Sequence, residues 1–260
     1  MNAQPTVSSD ARATETYREV VRRLGSAQKP AARSAPAYSR FVNRRLGRYL
    51  AAWAYRAGLT PNAVTGLSAL ATFTGIALLA VLAPGPLLGV LVTLCLVLGY
   101  ALDSADGQVA RLTGRGSAAG EWLDHVVDAT KIACLPLALL VGLYRAGTVE
   151  TAWLVVPLVH AVAGSVLFFA MILTEQMRRA RGTASVADTG GRLPWLRSLL
   201  AVPTDYGVLC LSFLLLVVPA WFFVAYTAIV IFTVLFVAAA CVKWFRELNA
   251  PVADLGERDI

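Results

Sequence analysis

Charge is scarce in this chain. Asp, Glu, Lys and Arg supply 15% of its 260 residues, where a soluble domain carries roughly 25%, and hydrophobic residues supply 57%. With a mean hydropathy of +0.63, that balance excludes an ordinary soluble domain and points to several membrane spans. Cysteine is equally thin. Cys95, Cys134, Cys210 and Cys241 stand singly in apolar runs, without CxxC spacing, which excludes a disulfide framework or a cysteine zinc site and leaves small buried hydrophobes. The first 30 residues contain no apolar run, so no cleavable signal peptide is expected and insertion relies on internal spans. A compact basic domain is also missing. The net charge of +7 is distributed around apolar segments, and nucleic acid is therefore not an expected partner.

What is present reads as four regions. Residues 1–36, rich in Ala, Ser, Arg and Pro, read as a disordered cytoplasmic tail, with room for a short helix over Thr14 to Leu24. Residues 37–58 mix Phe41, Leu46, Leu50, Trp53 and Tyr55 with Arg40, Arg44, Arg45, Arg48 and Arg56, the make-up of an amphipathic helix lying in the membrane interface. Residues 59–246 hold six apolar stretches of span length, near Asn62 to Ala83, Leu87 to Ala110, Gly120 to Tyr144, Thr151 to Leu173, Thr204 to Val218 and Trp221 to Trp244. Residues 247–260 are left as a cytoplasmic C-terminal tail. The expected fold is thus an all-α integral membrane protein of six transmembrane helices behind one interfacial helix.

Orientation follows from the basic residues. Of 23 Lys and Arg, 21 fall in the tail and interfacial helix, the 111–119 and 174–203 loops and the C-terminus. Only Arg145 falls in an opposite loop, and Lys131 sits within a span. The positive-inside rule then places both termini in the cytoplasm of a multi-pass protein of the cell membrane.

Against this apolar background, the stretch from Asp103 to Asp128 places four aspartates in span sequence, where a charge is costly enough to signal function. On a helix advancing about 100° per residue, Asp103, Asp106, Gly107, Ala110 and Arg111 share one face, as do Gly120, Asp124 and Asp128 on the next helix. Two pairs of carboxylates facing one gap would repel and take up protons unless cations lay among them. Hard oxygen donors suit Mg²⁺, Mn²⁺ or Ca²⁺ rather than zinc, and two ions suit four carboxylates better than one.

The pattern D-x2-D-G-x2-A-R-x8-G-x3-D-x3-D, filled by Asp103, Asp106, Gly107, Ala110, Arg111, Gly120, Asp124 and Asp128, resembles the signature of the CDP-alcohol phosphotransferases. The resemblance implies a membrane enzyme that displaces CMP from a CDP-linked alcohol, commonly CDP-diacylglycerol, with the hydroxyl of a second alcohol. It further implies six transmembrane helices, a homodimer, and a site near the cytoplasmic surface holding two Mg²⁺ or Mn²⁺ ions. On the same resemblance Asp103, Asp106 and Asp124 are metal ligands, while Asp128 is the general base and touches the second metal. Thr60-Pro61-Asn62-Ala63-Val64-Thr65 is similar to the family's PNxxT segment, which makes Asn62 and Thr65 candidates for the donor nucleotide or its phosphates. An ordinary helix start explains the same residues equally well.

Gly107, Ala110 and Gly120 leave room for the donor, although small residues in spans also serve helix packing. Arg111 can neutralise a donor phosphate or pair with an aspartate. For the acceptor the candidates are Lys131, whose anionic partner is a substrate phosphate or Asp124, and Arg178, Arg179 and Arg192, which could grip an alcohol phosphate of the inositol phosphate or glycerol phosphate type. Positive-inside topology would place arginines in that loop without any acceptor. His125 points away from the aspartate face and His160 reads as a helix-interface residue. The rival functions are transfer from a soluble CDP-alcohol such as CDP-choline to a lipid hydroxyl, a cation transporter, and a noncatalytic scaffold. Against a cation pathway, the acids gather at one end of two spans and come with Gly107 and Arg111.

Overall fold

Helix ends in this chain are written into local chemistry. Thr16 and Glu19 form a reciprocal cap, the Thr16 amide reaching Glu19 Oε2 at 2.8 Å and the Glu19 amide approaching Thr16 Oγ1 at 3.4 Å. They open α1, Tyr17–Ser26, within the region expected as a tail. The computed structural model describes residues 15–26, 37–182 and 205–249, and all its regular elements are helical. A π-helical turn at Ser39–Asn43 runs into α2, Arg44–Arg56. Val20 and Leu24 of α1 are buried against Ala51, Ala52 and Tyr55 of α2, so the apolar stripe of a basic helix finds its partner in the next one.

Long apolar helices follow. α3 spans Pro61–Val81, α4 Pro86–Thr113, α5 Ala118–Ala146 and α6 Val155–Ala180, the last preceded by a 3₁₀ turn at Thr151–Leu154. α7, Tyr206–Ser212, continues as a 3₁₀ turn over Phe213–Val217, and α8 covers Pro219–Asn249. Among the described residues, five helices are long and apolar enough to cross a membrane, namely α3, α4, α5, α6 with its leading turn, and α8. The expected fifth span is the exception. Its described part, Tyr206–Val217, rises only about 20 Å against a hydrocarbon core of about 30 Å. Asp205 caps its start through the Gly207 amide at 3.0 Å, and Pro219 opens the next helix. Residues 183–204, Thr204 among them, lie outside the described residues, as do residues 1–14, 27–36 and 250–260.

Close helix approach holds the bundle. A Cβ on Gly99 would collide with Thr72 Oγ1 across the α3–α4 crossing, and one on Gly142 would collide with the Leu79 carbonyl across α3–α5. Where lipid surrounds both helices, such backbone proximity substitutes for the hydrophobic drive available in water. The core beneath is an apolar cluster running from Leu79, Leu96 and Leu139 to Phe213, Phe222 and Tyr226. Phe213 lies against Gly89, where a Cβ would stand 2.6 Å from its carbonyl oxygen. The short α7 is thereby wedged on α4. At the other end of α7, Asp205 Oδ2 accepts from the Tyr38 amide at 2.8 Å and the Ser39 amide at 3.4 Å, which ties the entry of α2 to the same corner.

Candidate active site

Three helix ends converge on the site. Thr60 caps α3, its hydroxyl accepting from the Ala63 amide at 3.2 Å with Pro61 in the first turn, and this sets Asn62 and Thr65 one turn inside. α4 carries Asp103, Asp106, Gly107, Ala110 and Arg111 in its last turns, then stops at Gly114 with φ 65°, a left-handed conformation that favours glycine. Three residues later Ser117 caps α5, accepting from the Gly120 amide at 3.0 Å. The short connection turns the chain back so that Gly120, Asp124, Asp128 and Lys131 face the end of α4.

One carboxylate oxygen from each of Asp103, Asp124 and Asp128 lies within 4.8 Å of the other two. The Lys131 ammonium sits among them, donating to Asp103 Oδ1 at 2.7 Å, Asp128 Oδ1 at 3.1 Å and Ser68 Oγ at 3.2 Å. Asp106 is outside that group of three. It is 8% exposed and accepts from the Thr65 hydroxyl at 2.6 Å. The donor set fits a hard divalent cation. Oxygen ligands converge, and Asp124 Oδ1 is buried without a hydrogen-bond partner among the described residues, a costly state for a carboxylate unless something cationic completes it.

Beside the carboxylates opens a cavity of about 680 Å³ whose lining includes Asn62, Thr65, Asp106, Gly107, Ala110, Arg111, Gly120 and Asp124. Every residue singled out for the donor from the sequence thus borders one space. The glycines differ in what they do there. A Cβ on Gly120 would stand 3.1 Å from Asn62 Oδ1 and 3.2 Å from Ser117 Oγ, whereas one on Gly107 would meet only the Arg111 guanidinium at 3.4 Å. Gly120 lets α5 close on α3; Gly107 keeps the α4 wall of the cavity low.

The residues assigned to the acceptor separate. Lys131 belongs to the aspartate cluster. Arg178 is 6% exposed and donates through Nε and Nη2 to the two oxygens of Glu247 at 2.6 and 2.7 Å, joining α6 to the end of α8. Arg179 pairs with Glu121 at 3.0 Å and Glu175 at 3.6 Å; Glu121 lines the cavity, so this arginine reaches its rim through a carboxylate. Arg192 lies outside the described residues. His125 stands 3.9 Å from Glu121 and edge-on to Phe168 of α6. His160 Nδ1 meets the Tyr226 hydroxyl at 2.7 Å across α6 and α8, the helix-interface role expected of it.

Sequence reasoning missed Ser68, which holds the Gly99 carbonyl at 2.9 Å while accepting from Lys131. Its signal was its place three residues after Thr65, on the same face of α3. Arg115, Ser117 and Glu121 on the cavity wall were also missed as contributors. Arg115 and Ser117 belong to the turn between α4 and α5, which no pattern of helical faces describes, and Glu121 to the first turn of α5.

Among curated proteins, none matches the chain. A family model described as CDP-alcohol phosphatidyltransferase matches residues 58–241. That range contains the cavity, the aspartates, Lys131 and the whole set of long helices up to the last turns of α8, and the chain therefore belongs to the CDP-alcohol phosphatidyltransferase family.

Proposed function

We propose that this member of the family transfers a phosphatidyl group from CDP-diacylglycerol to the hydroxyl of a polar alcohol or alcohol phosphate, releasing CMP. Membership in the family implies transfer of a phosphoalcohol from a CDP-alcohol, with divalent metal and a membrane setting. The observation that carries the finer reading is the gathering of Asp103, Asp124 and Asp128, with an unpartnered Asp124 oxygen, against a cavity bordered by every motif residue of the donor side. Asp103, Asp106, Asp124 and Asp128 would hold two Mg²⁺ or Mn²⁺ ions, which supply neutralisation of the diphosphate and of the departing CMP.

The remaining work falls to side chains. Asn62 and Thr65 orient the nucleotide end of the donor, and Arg111 faces its phosphates from the cavity wall. Attack by the acceptor oxygen on the β-phosphorus forms the new P–O bond as the bond to CMP breaks. Asp128 takes the proton that the acceptor hydroxyl loses. Lys131, already tied to two carboxylates, is placed to neutralise an acceptor phosphate. The enzyme works as a homodimer in the cell membrane with the site and both termini on the cytoplasmic side.

The test is CMP release by purified protein in detergent with Mg²⁺ or Mn²⁺, from labelled CDP-diacylglycerol and a panel including glycerol 3-phosphate, inositol phosphate and their unphosphorylated alcohols. Release with at least one acceptor, abolished by EDTA and restored by added Mg²⁺, is expected. Failure of the whole panel, with turnover of CDP-choline or CDP-ethanolamine onto diacylglycerol instead, would replace the donor assignment. Failure of both arms would sink the reading.

A further inference from the structure

The hydroxyl oxygen of Tyr206 is shielded from solvent and has no hydrogen-bond partner among the described residues. A phenol in a protein interior usually finds one. The Cys210 thiol, one helical turn on, lies alongside it, and sulfur is at best a weak hydrogen-bond partner for a phenol. The ring itself is firmly placed. It packs edge-on against Tyr100, with centroids 5.0 Å apart, and Tyr100 stacks in turn on Tyr38 at 6.3 Å. Asp205, next to it in the chain, is 1% exposed and holds the backbone amides of Tyr38, Ser39 and Gly207.

Position relative to the aspartates gives the orphan its meaning. Tyr100 precedes Asp103 by one helical turn on α4, and Tyr206 packs edge-on to that ring, which carries its phenol to the Asp103 side of the cluster. Neither of those two carboxylates borders the donor cavity; Asp106 and Asp124 do. The cluster therefore has two sides, with the nucleotide space at Asp106 and Asp124 and Tyr206 by Asp103 and Asp128. Phosphoryl transfer places the attacking and leaving oxygens roughly in line. If CMP leaves on the cavity side, the incoming hydroxyl approaches from the other.

We infer that Tyr206 is an acceptor-binding residue, whose hydroxyl hydrogen-bonds the hydroxylated acceptor as it enters beside Asp103 and Asp128. The inference rests on the phosphatidyl-transfer reading. A phenol suits the task because it both donates and accepts, and the stack on Tyr100 fixes its direction before the acceptor arrives. Removing the oxygen while keeping the ring isolates this role.

The experiment compares wild type, Tyr206→Phe and Tyr100→Phe in the CMP-release assay, varying CDP-diacylglycerol and the best acceptor of the panel in turn and following thermal unfolding in detergent. For Tyr206→Phe, acceptor kcat/KM falls about tenfold, the size expected for one lost hydrogen bond in a desolvated site. Donor KM and unfolding temperature stay at wild-type values, and Tyr100→Phe leaves the acceptor parameters alone. An unchanged acceptor kcat/KM in Tyr206→Phe overturns the inference, as does an equal loss in both variants, which would mark a loosened tyrosine stack. Both outcomes leave phosphatidyl transfer standing. Wild-type protein that releases no CMP with any acceptor removes that reading, and this inference with it.

Discussion

At the scale of single residues, the most informative contact is Lys131 between Asp103 and Asp128. An ammonium deep in a span is tolerated where anions surround it, and its 2.7 and 3.1 Å contacts account for one carboxylate oxygen on each partner. Asp124 shares the cluster, yet its Oδ1 is buried without a hydrogen-bond partner among the described residues. This asymmetry separates the proposed roles, with Asp124 as a metal ligand and Asp128 as a base oriented by a lysine. Asp128→Asn keeps the side-chain shape and the Lys131 contact but cannot take a proton. We expect kcat to fall by about 10²- to 10⁴-fold, while CMP still protects the protein in a thermal-shift measurement; loss of that protection would instead make Asp128 essential to holding metal and nucleotide. Arg178 teaches a different lesson. A basic loop resembles a phosphate site in the sequence, yet this arginine is committed in fork geometry to Glu247, a partner 69 positions away that no local pattern reveals.

At the scale of elements, α3 is the helix against which both aspartate-bearing helices are set. Ser68 and Thr72 receive α4 at Gly99, and Leu79 receives α5 at Gly142. The glycines admit backbone contact at these crossings, so the carboxylates of α4 and α5 come within ligand-sharing distance of one another. Gly142→Val would push its side chain into the Leu79 carbonyl, costing about 1–3 kcal/mol of stability. The unfolding temperature in detergent should fall. Gly66→Ala on the same α3, where an added Cβ meets nothing within 4 Å, should leave it unchanged. Equal behaviour of the two variants would show that these crossings do not hold the bundle. α1 and α7 show what periodicity alone could and could not foretell. Room for a short helix near α1 was legible, but neither its pairing with α2 nor the brevity of α7 was, because an apolar run says neither which neighbour will cover it nor where its helix will be capped.

At the scale of the whole molecule, the site occupies one end of the helix bundle. The starts of α3 and α5 and the end of α4 meet there, while the turns after α3 and α5, at 82–85 and 147–150, lie at the far ends of those helices. The arginines of α1, α2 and the α4–α5 turn crowd the site end, and Arg145 bonds the Ala80 carbonyl at the other. If the basic end is cytoplasmic, a Ser26→Cys variant should react with a membrane-impermeant maleimide only after cells are opened, and Thr148→Cys should react in intact cells. The reverse labelling would invert the proposed topology.

Much of this was legible without coordinates. Apolar run length identified the long helices, since spanning a bilayer demands about 20 residues irrespective of packing. The helical repeat placed Asp103 with Asp106 and Asp124 with Asp128, and the motif named the chemistry. What the sequence by itself determined were properties of one helix at a time: its apolar run, its polar face, its cap at Thr60. Only tertiary structure decided that Asp106 turns to Thr65 while Asp103, Asp124 and Asp128 gather, that Lys131 lies between two of them, and that Arg178 belongs to Glu247. Those choices depend on how closely neighbouring backbones approach and on which charges can be satisfied together, and these are properties of helices in contact.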